Sequence, residues 1–249
     1  MNQINKDALP MVSTLKLQAD LHIHTIASGH AYSTVDEIAR AAAEKGLRGI
    51  ALTDHGPALP GGPHPYHFHA LRFVPEVLYG VRVLRGAEAN IMGAGEIDLP
   101  DDVLPKLDVV MAGFHEDCSP VGNAAQNTEI LLAIMDRPQI KIISHPGNPS
   151  VPLDLEAVAE HAAKTGTALE FNNSSFIISR IGSDHNCRQL AHFCAAHGTP
   201  VTVGSDAHFH STVGELSVAQ QALAEGGVDP EQIINRTLET TLAFLNLES

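Results

Sequence analysis

Two histidines stand two positions apart at the end of the first apolar segment, in the sequence DLHIH that begins at Asp20. Apolar and polar residues alternate from Leu15 to Ile23, and such alternation is typical of a β-strand. Because strand side chains have a period of two, His22 and His24 project to the same face. Two imidazoles directed at one point suit a divalent transition metal. Two histidines on a solvated strand end are the simpler alternative, and the pair alone does not decide between the two interpretations.

Further metal-binding residue types follow the apolar segments later in the chain. They are His55, Glu88, His115, His145, Asp206 and His208. Asp206 and His208 repeat the spacing of two, provided that strand geometry persists through Ala207. Taken singly, each residue is also explained by a surface turn or a structural histidine, but chance placement of all of them at strand ends is a poor explanation. The pattern therefore favours a shared metal site.

The elements that must position these residues alternate between strand and helix. Strands are predicted at 15–23, 49–53, 81–87, 107–113, 141–144, 167–171 and 200–203. Helices are predicted at 34–46, 68–79, 127–135, 155–164, 184–197 with Ser183 as the cap, 215–225 and a final stretch to Leu245, while 56–67 and 89–95 are predicted as a loop and a turn. Alternation of this kind indicates a parallel sheet, and a β/α barrel delivers the carboxyl ends of all its strands to one rim. We therefore expect an α/β barrel of about seven strands with its site on that rim.

Composition narrows the class of protein. The 249 residues fit one large barrel or two small domains, and a hydrophobic content of 44% provides a sizeable core. The formal net charge of −14 disfavours binding to nucleic acid, which needs clustered Lys and Arg. Three cysteines without a CxxC pair, no signal peptide and no membrane-spanning run predict a cytoplasmic protein. We expect residues 1–14 to be an N-terminal extension and residues 15–249 to be a single barrel domain.

The motifs at the strand ends resemble, in order, those of the PHP (polymerase and histidinol phosphatase) superfamily. They are DLHIH at 20–24, TDH at 53–55, GAE at 86–88, HPG at 145–147 and GSDAH at 204–208. The resemblance extends from about residue 16 to 210, and NNSSF at 172–176 is similar to the YcdX-type phosphatase branch. It implies a distorted seven-stranded (β/α) barrel with the site at the carboxyl ends of the strands.

The resemblance also implies three divalent metal ions, zinc first, although manganese or iron would tolerate the same ligands. By motif position the first ion is held by His22, His24, Glu88 and Asp206, the second by Glu88, His115 and His145, and the third by His30, His55 and His208. Glu88 would bridge the first two ions, and Glu88, Asp206 and His208 are the predicted catalytic residues. Asp54 is expected to orient an imidazole. His64, His67 and His69 are left outside the metal set, because no strand directs them.

This ligand set predicts hydrolysis of a small phosphate monoester by a water molecule that the metal ions activate. Arg180 is the candidate phosphate contact, with an ordinary surface arginine as the equal alternative. An amidohydrolase acting on a C–N bond and a non-catalytic metal-binding module are the other possibilities. The strand ends offer no metal-binding lysine, and the ligand set is complete, which favours a phosphatase. We expect a small phosphorylated substrate as partner, neither nucleic acid nor membrane, and leave a homo-oligomer open.

Overall fold

Seven parallel strands curve into a nearly closed barrel in the computed structural model, which describes residues 15–248. In spatial order they are β1 (Ala19–Ile23), β2 (Gly49–Leu52), β4 (Val81–Gly93), β6 (Val109–Gly113), β7 (Ile142–Ile143), β8 (Ala168–Asn172) and β9 (Val201–Gly204). Two short strands, β3 (Val77–Leu78) and β5 (Glu96–Ile97), pair antiparallel with β4. The predicted α/β barrel is therefore confirmed. The predicted N-terminal extension, residues 1–14, lies outside the described residues.

The helices connect the strands. They are α1 (Val35–Glu44), α2 (Tyr66–Ala70), α3 (Ala124–Met135), α4 (Leu155–Thr165), α5 (Ser174–Ile177), α6 (Ser183–His197), α7 (Ser217–Glu225) and α8 (Leu238–Leu245). A capping box begins α1: the Thr34 hydroxyl accepts from the Glu37 amide, and the Glu37 carboxylate accepts from the Thr34 amide. Ser183 is not the cap of α6. It is the first helical residue, and Gly182, at a φ of 96°, precedes the helix.

Two local predictions were wrong. No long helix covers 68–79, since α2 is followed by a single 3₁₀ turn at Leu71–Phe73 and then by β3. Pro75 explains the break, because proline has no N–H to donate and disfavours helical geometry in the residue before it. The expected turn at 89–95 is mostly strand: β4 continues to Gly93, and Gly95, at a φ of 71°, lies in the turn to β5. Ala89 and Ile91 are both fully buried, which explains why the strand extends past Glu88.

The barrel closes between its first and last strands. At the rim, the Asp206 amide donates to the His22 carbonyl and the His24 amide donates to the Ala207 carbonyl, both at 2.9 Å. Lower down, the side chain of Asn235 bridges the gap. Its Nδ2 donates to the Ala19 carbonyl at 2.7 Å and to the Val203 carbonyl at 2.9 Å, and its Oδ1 accepts from the Val203 amide at 3.2 Å.

The end of the barrel near Asn235 is apolar. Leu21, Met111 and Ile142 from the strands belong to one buried cluster with Leu242 and Leu245 of α8. This helix therefore covers the end opposite the rim. A single barrel domain over residues 15–249 stays a prediction, and the bonds of Asn235 to β1 and β9 support it.

Candidate metal centre

Glu88 of β4 lies at the centre of a cluster of histidine and carboxylate side chains on the carboxyl rim of the barrel. Its Oε2 is 3.0 Å from His55 Nδ1, 3.3 Å from His22 Nε2 and 3.6 Å from His24 Nε2. His22 and His24 meet at 3.0 Å between their Nε2 atoms, as the spacing of two predicts. One carboxylate oxygen thus faces three imidazole nitrogens.

The other oxygen of Glu88 faces a second pair of imidazoles. Oε1 is 2.8 Å from His145 Nε2 and 3.3 Å from His115 Nε2. The two oxygens therefore point to two different sets of nitrogens, and Glu88 has the geometry of a bridging ligand. His145 has a φ of 36°, a left-handed conformation that is uncommon outside glycine and turns its imidazole into the cluster.

Asp206 contributes a carboxylate from the end of β9. Its Oδ1 is 3.1 Å from His24 Nε2, 3.5 Å from His22 Nε2 and 3.6 Å from His208 Nδ1. The expectation that strand geometry persists through Ala207 is wrong. β9 ends at Gly204, and Asp206 has a φ of 55°. Asp206 and His208 still converge, because Ala207 bridges to β1 and holds the turn at the rim.

His30 sits at the mouth of the cluster and is exposed. Its ring centroid is 5.0 Å from that of His55 and 4.9 Å from that of His208. Three triads have their ligand atoms within 4.8 Å of one another: His24 with His55 and His208, His22 with His24 and Glu88, and His55 with Glu88 and His115. All nine residues with metal-binding side chains named from the sequence are therefore on one rim. The triad that contains His55 and His208 includes His24, whereas the prediction for the third ion included His30.

The donor set fits a divalent ion. Besides His115 Nδ1, four buried atoms of the cluster have no hydrogen-bond partner among residues 15–248: His55 Nδ1, His115 Nε2, Glu88 Oε2 and Asp206 Oδ1. A buried polar atom without a partner costs about 1–3 kcal/mol, so four in one place need an explanation. Imidazole nitrogens and carboxylate oxygens are ligands of zinc, and also of iron and manganese. Divalent ions bound in the cluster would satisfy these four atoms.

The electrostatics of Glu88, Asp206 and His145 agree with this fit. His22 differs, because burial lowers its pKa but Glu170, Glu88 and Asp206 raise it well above its ordinary value. Burial raises the pKa of Glu88, yet the surrounding imidazoles, His22 first, hold it well below its ordinary value. Burial also raises the pKa of Asp206, but His22 and Arg180 hold it well below its ordinary value. Burial lowers the pKa of His145 to about 4. Both carboxylates are therefore ionised and His145 is neutral at pH 7, and these are the protonation states that bind metal.

Glu170 is a functional residue that the sequence analysis missed. This buried carboxylate of β8 accepts from His22 Nδ1 at 2.7 Å through Oε1, and from the His145 amide at 2.9 Å through Oε2. It thereby directs His22 Nε2 toward the cluster and fixes the backbone of His145. Gly204 makes room for it, since a Cβ there would lie 2.2 Å from Glu170 Oε1. A charge in the middle of the apolar segment 167–171 is the signal that identifies it.

Asp54 orients an imidazole, although not that of its neighbour His55. It accepts from the Ser28 hydroxyl at 2.7 Å, and Ser28 Oγ is 3.2 Å from His24 Nδ1. His67 Nε2 lies 3.2 Å from the other oxygen of Asp54. Burial alone raises the pKa of Asp54, but the hydrogen bonds of His67 and Ser28 contribute to lowering it to about 2. His67 is therefore outside the metal cluster, as predicted, and supports it through Asp54.

A cavity of about 900 Å³ opens directly onto the cluster. Its walls include His30, His55, His115, Asp206 and His208 together with Arg180. Arg180 has a φ of 47°, and its Nη1 donates to Asp206 Oδ2 at 3.0 Å, Ser179 Oγ at 3.0 Å and Ser175 Oγ at 3.3 Å. The guanidinium of Arg180 thus lies beside the cluster and faces the cavity, and Arg180 is not an ordinary surface arginine.

The sequence matches a family model described as the PHP domain over residues 20–174 and one described as PHP-associated over residues 184–236. The chain therefore belongs to the PHP-domain family. A protein of Syntrophotalea carbinolica named "probable phosphatase" is 56% identical over 240 residues, covering 96% of this chain and all of that one. Another of that name, from Acetivibrio thermocellus, is 43% identical and covers 90% of this chain and 93% of that one. Within the family, the chain belongs with these phosphatases.

Solved structures show the same fold. The histidinol phosphate phosphatase of Lactococcus lactis, complexed with zinc, L-histidinol and phosphate, matches with a TM-score of 0.56 at 17% identity, over 85% of this chain and 94% of that one. A structure from Listeria monocytogenes matches with a TM-score of 0.63 at 14% identity, over 79% of this chain and 97% of that one. No helix of residues 15–248 combines the length and apolar character needed to cross a membrane.

Proposed function

We propose that this metal-dependent phosphatase hydrolyses a small phosphate monoester at a centre of three divalent ions, zinc first among the candidates. The observation that carries the proposal is the position of Glu88. Its two oxygens face two different sets of imidazoles at 2.8–3.6 Å, and one of them has no hydrogen-bond partner among the described residues. Such a carboxylate is suited to bridge two ions.

The remaining nitrogens are sufficient for a third ion. His55 and His208 belong to one triad of ligand atoms within 4.8 Å, and the centroid of the His30 ring is 5.0 Å from that of His55 and 4.9 Å from that of His208. Ions bound in these three places would lower the pKa of coordinated water and neutralise charge on phosphoryl oxygens. Manganese and iron fit the same ligands, so the identity of the ion needs direct measurement.

The chain's own residues complete the site. Arg180 presents a guanidinium to the cavity, and a guanidinium forms charge-assisted hydrogen bonds with phosphate oxygens. Asp206 holds that guanidinium through Oδ2 and faces the cluster through Oδ1, so it fixes the distance between the two. His208 lines the cavity next to Asp206 and is placed to contact the substrate. No serine, cysteine or aspartate nucleophile is needed.

The two alternatives receive less support. An amidohydrolase of this architecture would use a metal-binding lysine, and no lysine is among the described residues that line the cavity. A non-catalytic module would not need an accessible cavity of about 900 Å³ beside its ions. The phosphatase proposal accounts for the ligand cluster, Arg180 and the cavity together.

The test combines elemental analysis with an assay of phosphate release. Protein purified without chelator is expected to hold close to three divalent ions per chain and to release phosphate from simple esters. Removal of the ions should abolish release, and addition of zinc or manganese should restore it. One ion or none in active protein would contradict the trinuclear centre. Phosphate release that persists after complete removal of the ions would contradict the whole mechanism.

A further inference from the structure

The cavity beside the metal cluster has an apolar wall that coordination of metal and phosphate does not explain. Six apolar residues from four different strand ends line it: Leu59, Pro60, Phe114, Ile177, Ile178 and Phe209. A phosphate group fills only a small part of about 900 Å³. The rest of the space is available to the alcohol that the phosphate esterifies.

Several of these side chains are unusually exposed for their type. Ile177 is 64% exposed, Ile178 80% and Phe209 47%. Large apolar groups in contact with solvent are unfavourable relative to buried ones, and clusters of them mark binding surfaces. The three side chains line a concave site, so a ligand in that site is the partner that would bury them.

The segment that carries the isoleucines is held firmly. The Asn173 side chain accepts from the Val218 and Ala219 amides, both at 3.0 Å, which fixes the start of α5 against α7. Phe176 packs against the main hydrophobic core. The exposed isoleucines are therefore presented by an anchored element and not by a loose loop.

The same segment holds both ends of the site. Arg180 follows Ile178 by two residues and lies 3.0 Å from Asp206 of the metal cluster. A molecule with its phosphate at Arg180 and the ions would therefore lay its other part against Ile177 and Ile178. This arrangement would recognise a substrate with a phosphate group at one end and an apolar group at the other.

We propose that the substrate is a phosphate monoester of an alcohol with a bulky apolar body, bound against the wall formed by Ile177, Ile178 and Phe209. The proposal rests on the proposed phosphatase function and names its substrate class. Sugar phosphates and glycerol phosphates are hydroxyl-rich and would leave this wall solvated. They are therefore expected to be poor substrates.

The experiment compares two esters of primary alcohols, 3-phenylpropyl phosphate and glycerol 3-phosphate, with the metal-loaded enzyme. Both have leaving groups of similar reactivity, so the ratio of their kcat/KM values reports recognition of the alcohol. The phenylpropyl ester is expected to be better by at least about tenfold, the scale at which hydrophobic pockets discriminate. Ile178→Asn should bring the ratio close to one.

Ile181→Asn is the matched control. Ile181 is 93% exposed in the same segment, but it does not line the cavity. Its replacement should leave the ratio unchanged. Inhibition by inorganic phosphate should be the same in both variants and in the unmodified enzyme, since phosphate uses only the other end of the site. A weaker inhibition in Ile178→Asn alone would mean that Arg180 had moved, and would overturn this explanation of the wall.

Failure of this inference is distinguishable from failure of the proposed function. An enzyme that releases phosphate from both esters with equal kcat/KM, or that prefers glycerol 3-phosphate, overturns the apolar subsite and leaves the phosphatase intact. An equal loss of the preference in Ile178→Asn and Ile181→Asn also overturns it. Absence of phosphate release from every ester tested would instead remove the proposed function, and the subsite with it.

Discussion

The two ends of the seam between β1 and β9 treat buried polar groups in opposite ways. At the lower end, Asn235 is fully buried, and each of its side-chain heteroatoms has a partner on β1 or β9. At the rim, Glu88 and Asp206 are also buried, yet each has one oxygen without a hydrogen-bond partner among residues 15–248. Asn235 and Asp206 both bond across the seam between β1 and β9, while Glu88 reaches the rim from β4. The difference shows that burial of a polar residue does not by itself identify a site. Several unpartnered atoms that converge on one place do, whereas isolated ones such as Thr202 Oγ1 do not.

Polar residues at the two ends therefore have opposite effects on the free energy of unfolding. A fully hydrogen-bonded amide such as Asn235 stabilises the fold, because its removal leaves buried backbone groups without hydrogen-bond partners. An unsatisfied carboxylate such as Glu88 costs stability until a ligand arrives, so the fold must be stable enough elsewhere to tolerate it. Substitutions at the two ends should therefore have opposite signatures in stability and in activity.

The largest effect is expected for Glu88→Ala. In the proposed centre this carboxylate serves two ions, so its loss should lower phosphatase activity by at least about 10³-fold, which corresponds to roughly 4 kcal/mol of transition-state stabilisation. Elemental analysis should show the loss of more than one ion per chain, whereas His30→Ala, at the exposed mouth, should lose at most one. The metal-free variant should be no less stable to denaturant than the metal-free parent. Equal metal content in the two variants, with both folded, would contradict the bridging role.

The opposite signature is expected for Asn235→Leu. Three hydrogen bonds to Ala19 and Val203 are lost and their backbone groups are left buried, so the free energy of unfolding should fall by about 2–4 kcal/mol. Metal content and kcat/KM should stay close to those of the parent at a temperature where the variant is folded. Asn186→Ala removes one bond at a partly exposed position and serves as the control. A loss of metal in Asn235→Leu without a loss of stability would contradict the assignment of stability to the lower end and of metal binding to the rim.

A smaller effect that sharpens the comparison is expected for Glu170→Gln. Glu170 is buried like Glu88, but its oxygens are satisfied by His22 and the His145 amide. An amide can accept from only one of these two donors, so zinc affinity should fall by about 10–100-fold, the usual scale for a group that orients a ligand. Thr202→Val is the matched control, since Thr202 pairs with Glu170 in register and is equally buried. Titration with a competing chelator measures the affinity, and an unchanged value for Glu170→Gln would exclude the orienting role.

Much of the fold and of the ligand cluster could be predicted from the sequence because the signal is local. Most of the ligands follow an apolar segment, and parallel strands in a barrel bring the ends of those segments together. His30 is the exception, because it lies in a loop and could be named only through the family resemblance. Glu88 and His145 could be named on that ground alone. The long helix expected at 68–79 failed for a local reason as well, because the effect of Pro75 was not taken into account.

Contacts between residues that are far apart along the chain and meet across the barrel could not be predicted from the sequence. Glu170 bonds to His22, which is 148 residues away along the chain, and nothing near either residue announces the contact. Asn235 lies in a segment with no regular structure and acquires its role only when β1 and β9 meet. The apolar wall of the cavity is equally distributed over distant segments. These contacts depend on the closure of the barrel, not on local residue pattern.

Closure of the barrel between β1 and β9 also sets the order in which the protein can mature. The ligand cluster takes residues from both sides of that seam, from His22 near the start of the described chain to His208 near the end of the last strand. Contacts between residues so far apart along the chain form late, since the cost of closing the loop must be met first. A nascent chain that has not yet released β9 from the ribosome lacks Asp206 and His208. A complete ligand cluster therefore requires that β1 and β9 have met, so a full complement of ions would report that the barrel has closed.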